Sequence, residues 1–120
     1  MVIVKDMYVI NRGVAIIKPK QPFVDWANQL PDAQWEVLVK DFQDDCLAVL
    51  IPEYDNDEEA KRHINKMYVD IFNDELFGWC TNEKRWPKNR TRKMFWEWFD
   101  VEFHSVVIDP TEEPILKEDM

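Results

Sequence analysis

The chain has 120 residues, 46% of them hydrophobic and 13% aromatic, with two glycines and a formal net charge of −9. One domain of this size buries roughly 65% of its unfolded surface, so no disulfide or metal staple is required. The acidic balance argues against general nucleic-acid binding, and the longest apolar run, Cys46–Ile51, is far short of the ~20 residues of a membrane span.

Taken in chain order, "VAIIK" (Val14–Lys18) is β-branched and predicts a strand. "MYVI" before it is a further short strand, with a turn at Asn11-Arg12-Gly13. Pro19 and Pro22 end the pair, and Pro22 suits the first turn of a helix whose apolar face is Phe23, Trp26, Ala27 and Leu30. "LPDAQWEVLVKDF" is ambivalent. Trp35, Leu38, Val39 and Phe42 recur at helical spacing, while Trp35, Val37 and Val39 alternate as in a strand; a short helix capped by Asp32 is the expectation. "CLAVLI" is a buried strand stopped by Pro52. Over "NDEEAKRHINKMYVDIFNDELFGW" a long helix is predicted, capped by Asp55, Asn56 or Asp57 and stopped at Gly78, with Ala60, Ile64, Met67, Tyr68, Ile71 and Phe72 as its apolar stripe. A helix from about Thr91 to Phe99 follows, burying Met94, Phe95, Trp98 and Phe99, and then the strand "VEFHSVVID". The expectation is a single α+β domain over residues 1–120, ordered β-αα-β-αα-β. Its three- or four-stranded sheet is covered by about four helices, and a loose acidic tail begins near residue 110.

Charge is unevenly spread. Residues 84–93, "KRWPKNRTRK", hold six bases and no acid, whereas residues 41–59 hold eight acids and no base. Cations beside a helix start are electrostatically disfavoured, so the basic stretch calls for a partner. Either the 41–59 acids supply it or an external anion does.

Several chemistries are excluded or left without residues. Ser105 is the sole serine and adjoins His104, so on a strand the two point to opposite faces and cannot form a nucleophile–base pair. Two glycines leave no phosphate-cradling loop and no dinucleotide fingerprint. Two cysteines and two histidines lie at no zinc-ligand spacing, and "PEYDNDEE" lacks the glycine of a calcium loop, so helix capping accounts for its acids. No metal or cofactor is expected. Cys46 and Cys80 fit free thiols in a reducing compartment, and the amino terminus has neither the charged start nor the apolar core of a signal peptide, so a cytoplasmic location is expected.

Helical and strand periods leave four conspicuous side chains facing outward: Arg90, Trp96, Glu102 and His104. Glu102 and His104 share a strand face and could form an acid–base pair, or simply meet solvent and neighbouring bases. Trp96 beside Arg92 and Lys93 could be a stacking platform or a half-buried rim residue. These four are the candidate ligand- or partner-contact residues.

The strings "KPKQPFVDW", "LIPEYD", "WPKNRT" and "WFDVEFHS" resemble a group of small acidic bacterial proteins with no assigned activity, over about residues 11–114. The resemblance implies a bacterial cytoplasmic protein and brings no catalytic residues with it. Two functions from different classes follow. The first is a non-catalytic binding or protein-interaction module, meeting a protein partner or a second copy of itself and neither membrane nor nucleic acid. The alternative is a small enzyme acting on an anionic small molecule, with Glu102 and His104 beside the cationic loop.

Overall fold

The computed structural model describes residues 8–33 and 35–119. Met7, at the start of the expected "MYVI" strand, and the residues before it lie outside that range, as do Gln34 and Met120.

The strand β2 (Arg12–Pro19) organises the sheet. It lies between β3 (Leu47–Pro52) and β4 (Phe99–His104), antiparallel to both. Ala15 faces Val49 and Phe103, and Ile17 faces Leu47 and Val101, so these residues share one side of the sheet. That side is the core side: Ala15, Ile17, Ile51 and Phe99 are buried there.

Helices close over it. In α1 (Gln21–Asn28), Pro22 occupies the first turn and Phe23, Val24 and Ala27 point inward. In α2 (Asp57–Asn65), the Asn56 side chain accepts from the Glu59 backbone N–H at 2.9 Å, and three acids follow in the first turn. α3 (Tyr68–Phe77) contributes Ile71, Phe72 and Leu76. α4 (Arg92–Trp98) is capped by the Thr91 hydroxyl and buries Phe95. At the centre the Phe99 ring lies 5.3 Å from Phe23, 5.3 Å from Phe72 and 5.0 Å from Phe95. Aromatic pairs at such separations add to the stabilisation from buried area alone.

The α+β class and the three-stranded sheet covered by helices agree with the sequence reading. The distribution of helices differs from it. The expected helix over residues 32–42 is a single 3-10 turn, Val39–Phe42. Trp35 and Leu38 are exposed, so a helix there would bury no stripe; instead the Asn28 side chain grips the Val37 backbone, donating to its carbonyl and accepting from its N–H. The predicted long helix breaks at Lys66 and Met67 into α2 and α3. One helix thus joins β2 to β3, and three join β3 to β4.

A second, two-stranded sheet pairs β1 (Tyr8–Val9) with β5 (Ile108–Asp109). It continues the β2–β4 ladder, with the Ile10 N–H donating to the Val107 carbonyl. Four residues lie between Val9 and Val14, but three between His104 and Ile108, so the first strand carries one extra residue, a bulge. The radius of gyration is 16.9 Å, against ~14 Å for a rounded domain of this length. The excess reflects this ribbon and the exposed residues 110–119, which stretch the molecule to 52 Å. Among the described residues no helix is long and apolar enough to cross a membrane.

Candidate functional site

Side chains alternate across a strand, so the positions between the core residues form a second, outer face. The register places Arg12, Val14, Ile16 and Lys18 of β2, Ala48, Leu50 and Pro52 of β3, and Asp100, Glu102 and His104 of β4 on it. Its centre is apolar: Val14 and Ile16 are half-buried, while Ala48 and Leu50 are exposed. Leu50, Ile108 and Ile115 line one shallow cavity of about 360 Å³, so the apolar surface runs from the sheet onto the ribbon.

Glu102 and His104 do come together here. His104 Nε2 lies 3.1 Å from one Glu102 carboxylate oxygen, and Lys18 Nζ lies 3.5 Å from the other. The hydrogen bond from His104, and then the Lys18 charge, hold the Glu102 carboxyl below its ordinary pKa. All three side chains are wet, which makes them a surface cluster of little energetic weight.

Arg90 and Trp96 are employed elsewhere, between helices. The Arg90 Nε donates to Asn73 Oδ1 at 3.0 Å, one terminal nitrogen donates to the Pro87 carbonyl at 2.7 Å, and the guanidinium lies over the Trp86 ring. Asn89, just before it, has φ 56°, a left-handed conformation that asparagine tolerates. Trp96 Nε1 donates to Asn65 Oδ1 at 2.7 Å, with Lys61 beside the ring. Arg90 therefore tethers the 86–91 loop to α3, and Trp96 ties α4 to the end of α2. The four residues do not form one site.

Among the described residues no ion pair links residues 84–93 to the acids of 41–59. Arg90 uses an amide, a carbonyl and a ring instead, groups that need no opposite charge. The acids at 41–45 gather around a cavity of about 220 Å³ with Cys46 and Glu75. Burial, and then Asp74, push the Glu75 carboxyl up to about 7. Among the described residues no cluster of three or more histidine, cysteine or carboxylate side chains could hold a metal ion.

No protein-family profile, no curated protein and no solved structure matches this chain.

The sequence pattern singled out the charged rim of the outer face but missed its apolar middle. Val14, Ile16, Ala48 and Leu50 sit in short apolar runs that look fully buried when read singly. Which half of each run faces out depends on the pairing register, and that requires β3 and β4 to be placed beside β2.

Proposed function

We propose that this chain is a non-catalytic protein-interaction module that works through the outer face of its sheet and the adjoining ribbon, and that the partner on that face is a second copy of the same chain. The observation that carries this reading is the charge balance of the face. Arg12 and Lys18 offset Asp100 and Glu102 on a molecule whose net charge is −9. The net charge makes two copies repel one another as wholes, whereas on this face the four charges cancel.

Its charges are also arranged to complement themselves. Arg12 lies at one end of β2, and Asp100 pairs with Lys18 at the other end. A two-fold axis lying in the plane of the contact, level with the midpoint between Val14 and Ile16, exchanges the ends and brings Arg12 of each copy to the Asp100 end of the other. Neither side chain has an ion-pair partner among the described residues of one chain. Three strands about 4.8 Å apart and six residues long give a footprint on the order of 300 Å². Stable interfaces bury about 800 Å² per partner, so the exposed Tyr8, Val9, Val106 and Ile108 of the ribbon must contribute, and the association is weak. A bacterial cytoplasmic setting belongs to the same proposal and rests on the sequence resemblance alone.

Sedimentation equilibrium over a wide concentration range tests the reading. The chain should shift from monomer to dimer, Asp100→Arg should abolish the shift, and Arg12→Asp combined with Asp100→Arg should restore it. A monomer at every concentration, or a double swap that does not recover association, refutes it.

A further inference from the structure

On the helical side of the molecule, away from the outer face, two lobes of one cleft meet at Trp79. The first, about 330 Å³, is walled by Ala27, Leu30, Ala33, Trp35 and Val37; the second, about 370 Å³, by Thr81, Asn82 and Arg85. Asp32, Trp79 and Cys80 line both. Each lobe falls in the size range of small-molecule sites.

The aromatic walls are prepared differently. Trp79 is stacked on Phe42, centroids 4.5 Å apart and planes 28° from parallel, and is thereby held as a fixed platform. Trp35 is 71% exposed and has no aromatic partner among the described residues. An indole left in water across a cleft from a second, fixed indole is a wall awaiting an apolar guest. The segments that carry them are anchored: Val37 by Asn28, the Cys80 carbonyl by the Trp86 indole N–H, and the Arg85 carbonyl by the Trp26 indole N–H.

The polar lobe offers one charge of each sign. Asp32 and Arg85 both line it, and neither has an ion-pair partner among the described residues. A ligand that satisfies the whole cleft therefore needs a planar aromatic body, a cationic head for Asp32 and an anionic head for Arg85, whose guanidinium suits a carboxylate. The geometry points to a binding site for a free aromatic α-amino acid, with its ring in the Trp35–Trp79 lobe, its ammonium at Asp32 and its carboxylate at Arg85. This site is independent of the self-association reading, since it uses none of the same residues.

Four related compounds test it: L-phenylalanine, phenethylamine, 3-phenylpropionate and the uncharged N-acetyl-phenylalanine amide. Binding is followed through the indole N–H signals of Trp35 and Trp79 in proton–nitrogen spectra of the full chain. Phenylalanine should bind best, in the millimolar range or tighter. Arg85→Gln should weaken phenylalanine and phenylpropionate about tenfold while sparing phenethylamine, as loss of a charge-assisted hydrogen bond does. Asp32→Asn should do the reverse, weakening phenylalanine and phenethylamine and sparing phenylpropionate. Trp35→Ala, at an exposed position, should weaken all four compounds without unfolding the chain. The site is refuted if both indole signals stay unmoved at about 10 mM phenylalanine. It is also refuted if the two charge substitutions fail to separate the ammonium from the carboxylate.

Discussion

β2 presents two chemistries from one short run of residues. Ala15 and Ile17 are fully buried under the helices, while Val14, Ile16 and Lys18, which alternate with them, meet no helix and stay partly in water. Composition hardly distinguishes the two sets, since isoleucine occurs in both. Pairing geometry does, because neighbouring side chains on a strand point to opposite faces. The inner face holds the fold together; the outer face keeps apolar surface that the monomer does not use. Antiparallel sheets with one dry and one wet face are common, but the wet face normally reads as polar, and here its centre does not.

The sharpest way to break this comparison is to truncate neighbours. Ile17→Ala should cost about 2–5 kcal/mol in a urea titration, the usual loss for a buried aliphatic side chain. Ile16→Ala, one residue away, should cost no more than about 1 kcal/mol. Equal losses would mean that both faces are buried and that the sheet is covered on its outer side.

A second substitution probes how closely the sheet is packed at the end where the two faces meet the bulge. Gly13 lies in β2, and a Cβ added there would come 2.6 Å from Cε1 of Tyr54 and 3.2 Å from the His104 carbonyl. The Tyr54 ring also packs edge-on against Phe103, 6.0 Å away, so it cannot move freely. Gly13→Ala should therefore destabilise by about 1–3 kcal/mol, as overpacking does. Adding Tyr54→Ala should remove most of the difference between glycine and alanine at position 13.

The core side carries one group at odds with its surroundings. Glu75 titrates in the folded chain at about 7, raised by burial and by Asp74, against an ordinary value of 4.5. Asp41, Asp44, Asp45 and Cys46 share its cavity. Between these two pH values the folded state holds a proton that the unfolded chain has released, so stability falls as pH rises from 4.5 towards 7 and then levels off. Because the carboxyl is only partly buried, screening reduces the full shift to on the order of 1–2 kcal/mol. Glu75→Gln should raise the unfolding free energy from a urea titration at pH 8 by that amount and leave it nearly unchanged near pH 4.5. A substitution effect that does not vary with pH would show that the carboxyl is solvated.

Periodicity made the core legible. Ile64, Ile71, Phe72, Phe95 and Phe99 were recoverable because stripes at helical spacing survive without knowledge of their neighbours. Arg90 and Trp96 were not, because their partners, Asn73 and Asn65, lie 17 and 31 positions away and nothing local announces them. Residues 32–42 misled for another reason. Their apolar positions satisfy two periods at once, and the Asn28 clamp on Val37 decides for neither. The Trp35–Trp79–Arg85 cleft is assembled from two segments remote in sequence, residues 27–37 and 77–85, so only the fold could bring it together.

The smallest expected effect on stability is the most informative about the outer face. Leu50 is 45% exposed and pairs with Val14 on that side. Leu50→Lys removes little buried area from the monomer, and lysine can run its stem along the sheet while its ammonium stays in water. The urea midpoint should then correspond to a change within about 0.5 kcal/mol, measured at low protein concentration. Self-association should behave otherwise. A two-fold contact brings the substitution in twice, setting two cations into the apolar centre with no acid beside them, and burying an unpaired charge is strongly unfavourable. The dimer should vanish while the monomer folds as before. If Leu50→Lys destabilises the monomer by several kcal/mol instead, Leu50 belongs to the core, and the outer face is not the free surface described above.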